Sequence, residues 1–163
     1  MASGRIIPDF DIVKLIRVAP LISSTATLVH ALAELNFLGA MVHPNTREKC
    51  NEIVPKVFRN YFSAGVQYVI AYGLTSVSLS IVNLVGQYSV SGASRQWYMA
   101  GMAYAVAHYL FLPKVASPVR DIIEDASQGK STEDLDRWLS IHRVRMAVAD
   151  IPAWLCYILA ICN

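Results

Sequence analysis

A chain of 163 residues has room for one domain, and 55% hydrophobic with only 16% charged residues and a mean hydropathy of +0.40 make it too apolar for an ordinary soluble domain. The net charge of +2 says nothing about nucleic acid, because the basic residues lie in short segments beside apolar runs, and no nucleic-acid partner is expected. The three cysteines, Cys50, Cys156 and Cys162, have no metal-ligand spacing, so neither a metal site nor a disulfide framework is expected. Cys156 and Cys162 read as lipid-facing or packing residues.

The N-terminal stretch through Arg17 carries mixed charges and no small-residue cleavage site after its apolar part, so a cleaved signal peptide is not expected. From Val18 to Val42 the only ionisable groups are His30 and Glu34. This first predicted span, 18–42, starts near Pro20, which a first turn tolerates, and ends before His43-Pro44. A charged loop from Thr46 to Arg59 follows, with some amphipathic helix around NEIVPKVF. The second span, 61–85, sits in a run from Asn60 to Ser94 that has no Lys, Arg, Asp, Glu or His. Gly86 to Arg95 reads as a short turn. The third span, 96–115, contains His108 as its one ionisable group before Lys114 and carries Pro113 near its end. Ser117 to Arg143 is the longest polar segment. Within it Ser131-Thr132-Glu133-Asp134 is a helix start, a hydroxyl cap followed by acidic residues that suit the helix dipole. That helix is predicted to run through Arg137, Trp138 and His142 into the fourth span, 144–162, where Asp150 is the only ionisable group from Met146 onward. Each run matches the roughly 20 residues that cross a hydrocarbon core about 30 Å thick. The expected fold is all-α: a single integral membrane domain over residues 1–163, a four-helix transmembrane bundle.

Orientation follows from Lys and Arg. The tail has Arg5, Lys14 and Arg17, and the second loop only Arg95. The first loop has Arg47, Lys49, Lys56 and Arg59, and the third has Arg120, Lys130, Arg137 and Arg143. The excess places loops 1 and 3 in the cytosol and both termini on the other side. In a eukaryotic cell the expected location is the endoplasmic reticulum.

Ionisable groups at membrane depth cost about 2.5–3.5 kcal/mol each at the centre and point to function. In the first span Ser23, Thr27, His30 and Glu34 share one helical face. The second aligns Tyr61, Tyr68, Tyr72 and Thr75, the third Trp97, Gly101, Tyr104 and His108, and the fourth Met146, Asp150, Trp154 and Tyr157. Counting from the cytosolic ends, Glu34, Tyr68, His108 and Asp150 fall in one layer about 9–12 Å deep, with His30 one turn deeper. A carboxyl, a phenol, an imidazole and a second carboxyl converging in a bundle core describe a small-molecule site. Trp97 reads as an interface anchor. Arg145 is expected to turn inward toward Asp150, against the alternative that Trp138, His142 and Arg145 merely anchor the helix at the headgroups.

The segments HYLFLPKVASPVRDII and DRWLSIHRVRM give this chain a resemblance to the small four-helix membrane proteins named for the anthrone oxygenases of polyketide pathways. The residues that carry it are Pro113, Trp138, His142 and Arg145, with Gly39 near the end of the first span. The resemblance implies a cofactor-free tailoring enzyme with one base in a dry pocket. Glu34 and Asp150 depart from that pattern. Two carboxyl groups look instead like the small membrane epoxide hydrolases or cyclases of fungal polyene-pyrone polyether pathways, which implies epoxide opening by a general acid and a general base. On this reading the catalytic residues are Glu34, Asp150 and His30, and Tyr68, Tyr72, Tyr104, His108, Arg145 and Trp154 bind substrate. The expected partners are a lipophilic small-molecule substrate and the lipid bilayer, without cofactor or metal; a homo-oligomer is compatible with the sequence. The alternatives are an anthrone-type cofactor-independent oxygenase and, from another class, a non-catalytic membrane subunit or small transporter.

Overall fold

A computed structural model describes residues 11–87 and 89–163; Arg5 and the reading of the first ten residues as uncleaved lie outside them. The described residues form helices α1 (Ile12–Val42), α2 (Arg47–Cys50), α3 (Val54–Val85), α4 (Gly92–Tyr109), α5 (Leu112–Glu124), α6 (Ser131–Arg145) and α7 (Ile151–Cys162), with no strand among them. Between α6 and α7, Met146–Asp150 form a π-helical turn, so the two make one continuous rod. Three helices are long and apolar enough to cross a membrane: α1, α3 and the rod Ser131–Cys162. At 1.5 Å per residue each is about 46–48 Å long, well beyond a hydrocarbon core.

The first helix starts earlier than its composition suggested. Asp11 caps it, its carboxylate accepting from the backbone N–H of Val13 (3.0 Å) and Lys14 (3.2 Å), and Pro20 lies inside the helix and is buried. An interior proline has no N–H for the carbonyl four residues back and typically costs about 3 kcal/mol. Here a neighbouring helix supplies the missing donor. Asn83 Nδ2 donates to the Ile16 carbonyl at 2.9 Å, and the Tyr98 hydroxyl donates to the Arg17 carbonyl at 2.7 Å. In a membrane, a proline in a spanning helix is tolerated when neighbours re-satisfy the freed backbone groups in this way.

The third predicted span is cut short. The helix that begins at Gly92 ends at Tyr109, and after a break at Leu110–Phe111 the chain enters α5 with Pro113 in its first turn. Proline disfavours helical geometry in the residue before it and is at home at a helix start. The 18-residue α4 is therefore not among the three long apolar helices. It packs chiefly on α7 and α3.

The polar segment is folded. Helices α5 and α6 make a hairpin against the ends of α1 and α3, and the apolar cluster they share contains Leu38, Val54, Phe58, Ile122, Leu135 and Trp138. In the turn, Asp125 (φ 51°) and Gly129 (φ 90°) take left-handed conformations. The Asp125 carboxylate accepts from the Ser131 hydroxyl (2.6 Å) and the Gly129 N–H (3.1 Å), which hold it below the usual carboxylate range. Helix α6 begins at Ser131 as the sequence indicates, but Ser131 is not its cap, because its hydroxyl is committed to Asp125. Asn51, from the segment between α2 and α3, caps it instead, accepting from the Thr132 N–H (3.0 Å) and hydroxyl (2.7 Å). A second apolar cluster, with Leu84, Tyr98, Ala153, Tyr157 and Ala160, fills the other end. Along α1 and the rod, Glu34, His142, Arg145 and Asp150 lie between these two clusters.

Candidate active site

The π-helical turn sets the geometry of the site. Pro152 has no N–H to offer the Val148 carbonyl, and the Ile151 N–H bonds to the Met146 carbonyl five residues back. In an α-helix, residues five apart point about 140° away from each other. The wider turn brings Arg145 and Asp150 to one side, with Arg145 Nε 3.4 Å from Asp150 Oδ2. The other oxygen of Asp150, Oδ1, lies 2.7 Å from His108 Nδ1, at the last turn of α4. Both carboxylate oxygens thus face a donor group, one from the same rod and one from a neighbouring helix.

From Arg145 the belt continues the other way. Arg145 Nη2 donates to His142 Nδ1 at 3.1 Å, while His142 Nε2 donates to the Ala31 carbonyl at 2.9 Å. Those partners fix His142 as a neutral imidazole with its proton on Nε2. Next comes Glu34, with Oε2 3.8 Å from His142 Nδ1 and Oε1 3.6 Å from His30 Nε2. Glu34, His108, His142, Arg145 and Asp150 are all buried, and His30 is partly so. The permanently charged guanidinium compensates one carboxylate directly. Glu34 has only imidazoles beside it, at distances too long for good hydrogen bonds.

An apolar cleft of about 110 Å³ reaches the belt at Glu34, His108 and Arg145. Its walls include Phe62, Val66, Val69 and Val115, and the exposed Ile70 and Leu112 mark the mouth, where the α4–α5 break leaves a gap beside α3. The combination is an apolar slot ending on titratable and cationic groups.

Comparisons with known proteins agree on one group of fungal relatives. The chain is 32% identical over 152 residues to the probable epoxidase scpX of Mollisia scopiformis, covering 91% of this chain and 95% of the relative. It is 30% identical over 150 residues to the epoxidase gkaX of Penicillium citrinum and 29% identical over 153 residues to the epoxidase pydX of an Acremonium species, each match covering 90% of this chain and 92% of the relative. The chain belongs to this epoxidase family. No family model matches it, so the resemblance to the anthrone oxygenases gains no such support, and no solved structure matches it either.

Of the residues singled out in the sequence, this epoxidase-family chain brings Glu34, His30, Asp150, His108 and Arg145 into one belt. The aromatic residues chosen as substrate contacts are placed elsewhere. Tyr68 is 53% exposed on the outer face of α3, edge-on to His30 at 6.0 Å, and Tyr72 stacks on it. Tyr104 is 41% exposed, because α4 is rotated so that Tyr98, Gly101 and His108 point inward. The bare Gly101 lies against the Tyr157 ring, where a Cβ would collide. Trp154 donates to the Thr25 hydroxyl at 3.0 Å, away from the cleft. Among the cysteines, Cys156 is buried and Cys162 exposed.

Two members of the site were not singled out. His142 enters from the sequence only within the Trp138, His142 and Arg145 motif, and its spacing of three from Arg145 is the available signal. Tyr109 gave no signal; it is the last residue of α4, and its hydroxyl donates to the Val69 carbonyl of α3 at 3.2 Å.

Proposed function

We propose that this protein is a membrane-embedded tailoring enzyme of fungal polyketide metabolism that forms an epoxide on an alkene of a lipophilic substrate, with the buried belt as its proton-handling machinery. The observation that carries the reading is an apolar cleft whose inner end is a continuous row of carboxylate, imidazole and guanidinium groups. The name shared by three relatives over nine-tenths of the chain favours oxygen insertion over other chemistry in such a cleft. Converting an alkene and dioxygen into an epoxide and water consumes two electrons and two protons. The chain's own residues can deliver the protons. Asp150 with His108 is a hydrogen-bonded pair able to pass one to an oxygen in the cleft, Glu34 in the cleft wall can supply the other, and Arg145 can stabilise the negative charge that develops there. This reading departs from the cofactor-free expectation, since the electron pair has to be supplied to the reaction by a two-electron donor such as a reduced nicotinamide or flavin.

The second reading is epoxide opening, favoured by the separate environments of the two carboxyl groups. A proton held by Asp150–His108 would go to the epoxide oxygen, and Glu34 would take one from water or an internal hydroxyl. Isotope labelling separates the readings. Purified protein in lipid nanodiscs is given a long-chain polyene, with a reduced nicotinamide or flavin, and separately its epoxide. Oxygen-18 from dioxygen in the product epoxide is the expected result. Label from water in a diol or cyclic ether, formed without oxygen, would replace epoxide formation by opening. Neither product would leave the non-catalytic subunit or small transporter.

The same proposal includes the placement of the chain. Helices α1, α3, α4 and the α7 half of the rod cross the endoplasmic reticulum membrane, and the α5–α6 hairpin lies with loops 1 and 3 in the cytosol, where their Lys and Arg residues are concentrated. Protease added to intact microsomes should cut between Ser117 and Lys130 and spare tags at both termini. Cleavage of both tags would reverse the orientation.

A further inference from the structure

A smaller void meets the belt at Asp150 and His108. Ser24, Thr27, Ser76 and Asp150 line it, together with Gly73 and Ala105. The two voids share His108, Tyr109 and Val69 and are otherwise lined by different residues. Tyr109 stands at this boundary: its hydroxyl donates to the Val69 carbonyl, and its ring end rests on the bare backbone of Gly73, where a Cβ would overlap it.

The void has the size and the partners for water. Its volume is about 20 Å³, and one water molecule needs roughly 10–15 Å³ on the same measure together with two to four polar partners. Two side-chain oxygens among its lining residues are deeply buried and make no hydrogen bond to the described residues: Ser76 Oγ, in a residue 2% exposed, and Asp150 Oδ2, in a residue 4% exposed, which has the Arg145 guanidinium beside it at 3.4 Å but is not hydrogen-bonded by it. A buried polar group without a partner costs about 1–3 kcal/mol, and more if charged. Ser24, also buried, and Thr27 add further hydroxyls to the wall.

We propose that this void is a built-in water site, in which one water donates to Asp150 Oδ2 and accepts from the Ser76 hydroxyl. The water gives Asp150 a partner from this void, while substrate reaches the belt from the cleft. Its bond holds the carboxylate in register with His108, which makes Ser76 a positioning residue. Tyr109 keeps this water out of the apolar slot. The water site stands on the geometry; its kinetic consequence rests on the acid–base reading of the belt.

The test uses the full-length protein in nanodiscs at a resolution that shows ordered water. Density for one water between Ser76 and Asp150 is expected, and Ser76→Val, which removes the hydroxyl and fills the space, should abolish it. In turnover, Ser76→Val should lower kcat about tenfold with KM unchanged, since nothing in the cleft has moved, and the pH profile of kcat should shift. If Ser76→Val does not fold, Ser76→Ala serves, leaving the water with one partner fewer and its density weakened. A dry void in the wild-type protein would overturn the proposal. Water present in a protein that turns over no epoxide or alkene would leave the site standing and reject the enzymatic reading.

Discussion

Two buried polar regions of this molecule look alike in composition and differ in how they are satisfied. Around Pro20, side chains from α3 and α4 close on the carbonyls of α1 with bonds of 2.9 and 2.7 Å, and nearby the Tyr157 hydroxyl accepts from Ser80 at 2.9 Å. These are neutral donors meeting neutral acceptors at good distances, which is how a structural network pays its way in an apolar interior. Of the belt's carboxylate contacts only one is short, His108 to Asp150, and the others run from 3.4 to 3.8 Å. Buried charges held that loosely contribute little stability for their desolvation. The first region repairs a helix; the second is held ready for a ligand or a proton.

The largest expected effect breaks the comparison on the side of the belt. Asp150→Asn and Glu34→Gln should each lower turnover at least about 10²-fold, the usual contribution of a general acid or base, while the protein stays monodisperse. If the two groups act as a unit, the double variant should be little worse than the poorer single one. Turnover on the polyene substrate, normalised to folded protein, is the measurement. Retained specific activity in both single variants would make the belt structural, like the Pro20 region.

A smaller effect tests the repair. Asn83→Ala should destabilise the fold by about 1–3 kcal/mol, the cost of leaving a buried acceptor unpaired, with turnover per folded molecule unchanged. Pro20→Ala restores a backbone N–H for the Ile16 carbonyl, so Asn83→Ala should cost markedly less in that background. A double-mutant cycle followed by thermal unfolding in detergent measures the coupling. An additive cycle would show that Asn83 serves something other than the proline gap.

The smallest effect lies outside the membrane, at the α5–α6 turn. Because the Asp125 carboxyl titrates lower in the folded protein than its ordinary value, its contribution is complete above that ordinary value. It is lost as the pH falls through the lowered one. The protection of the Gly129 amide, its exchange rate corrected for the intrinsic pH dependence, should therefore be unchanged from neutral pH down to about 5, since ordinary carboxyls titrate near 4, and should fall only in stronger acid. Asp125→Asn should remove that pH dependence.

The apolar run lengths were enough to give an all-helical chain with its ends near Val42 and Val85, and the isolation of Glu34 and Asp150 in those runs was enough to turn both inward. Charge in an apolar stretch is legible because its cost does not depend on fold detail. The aromatic contacts were less legible, since Tyr68, Tyr104 and Trp154 are amphipathic and sit comfortably on an outer face or inside.

What the sequence determined, then, is what composition and period control: helices, their approximate spans, and which charged residues must be covered. Only the tertiary structure decided which residues meet. The start of α1 eight residues before Pro20 depends on Asn83 and Tyr98 reaching across from other helices. The end of α4 at Tyr109 opens the cleft, and the π-helical turn before Pro152 replaces an α-helical spacing of four with the spacing of five that joins Arg145 to Asp150. Such features turn on one backbone hydrogen bond made or lost, and a hydrophobic pattern does not record which neighbour will be there to make it.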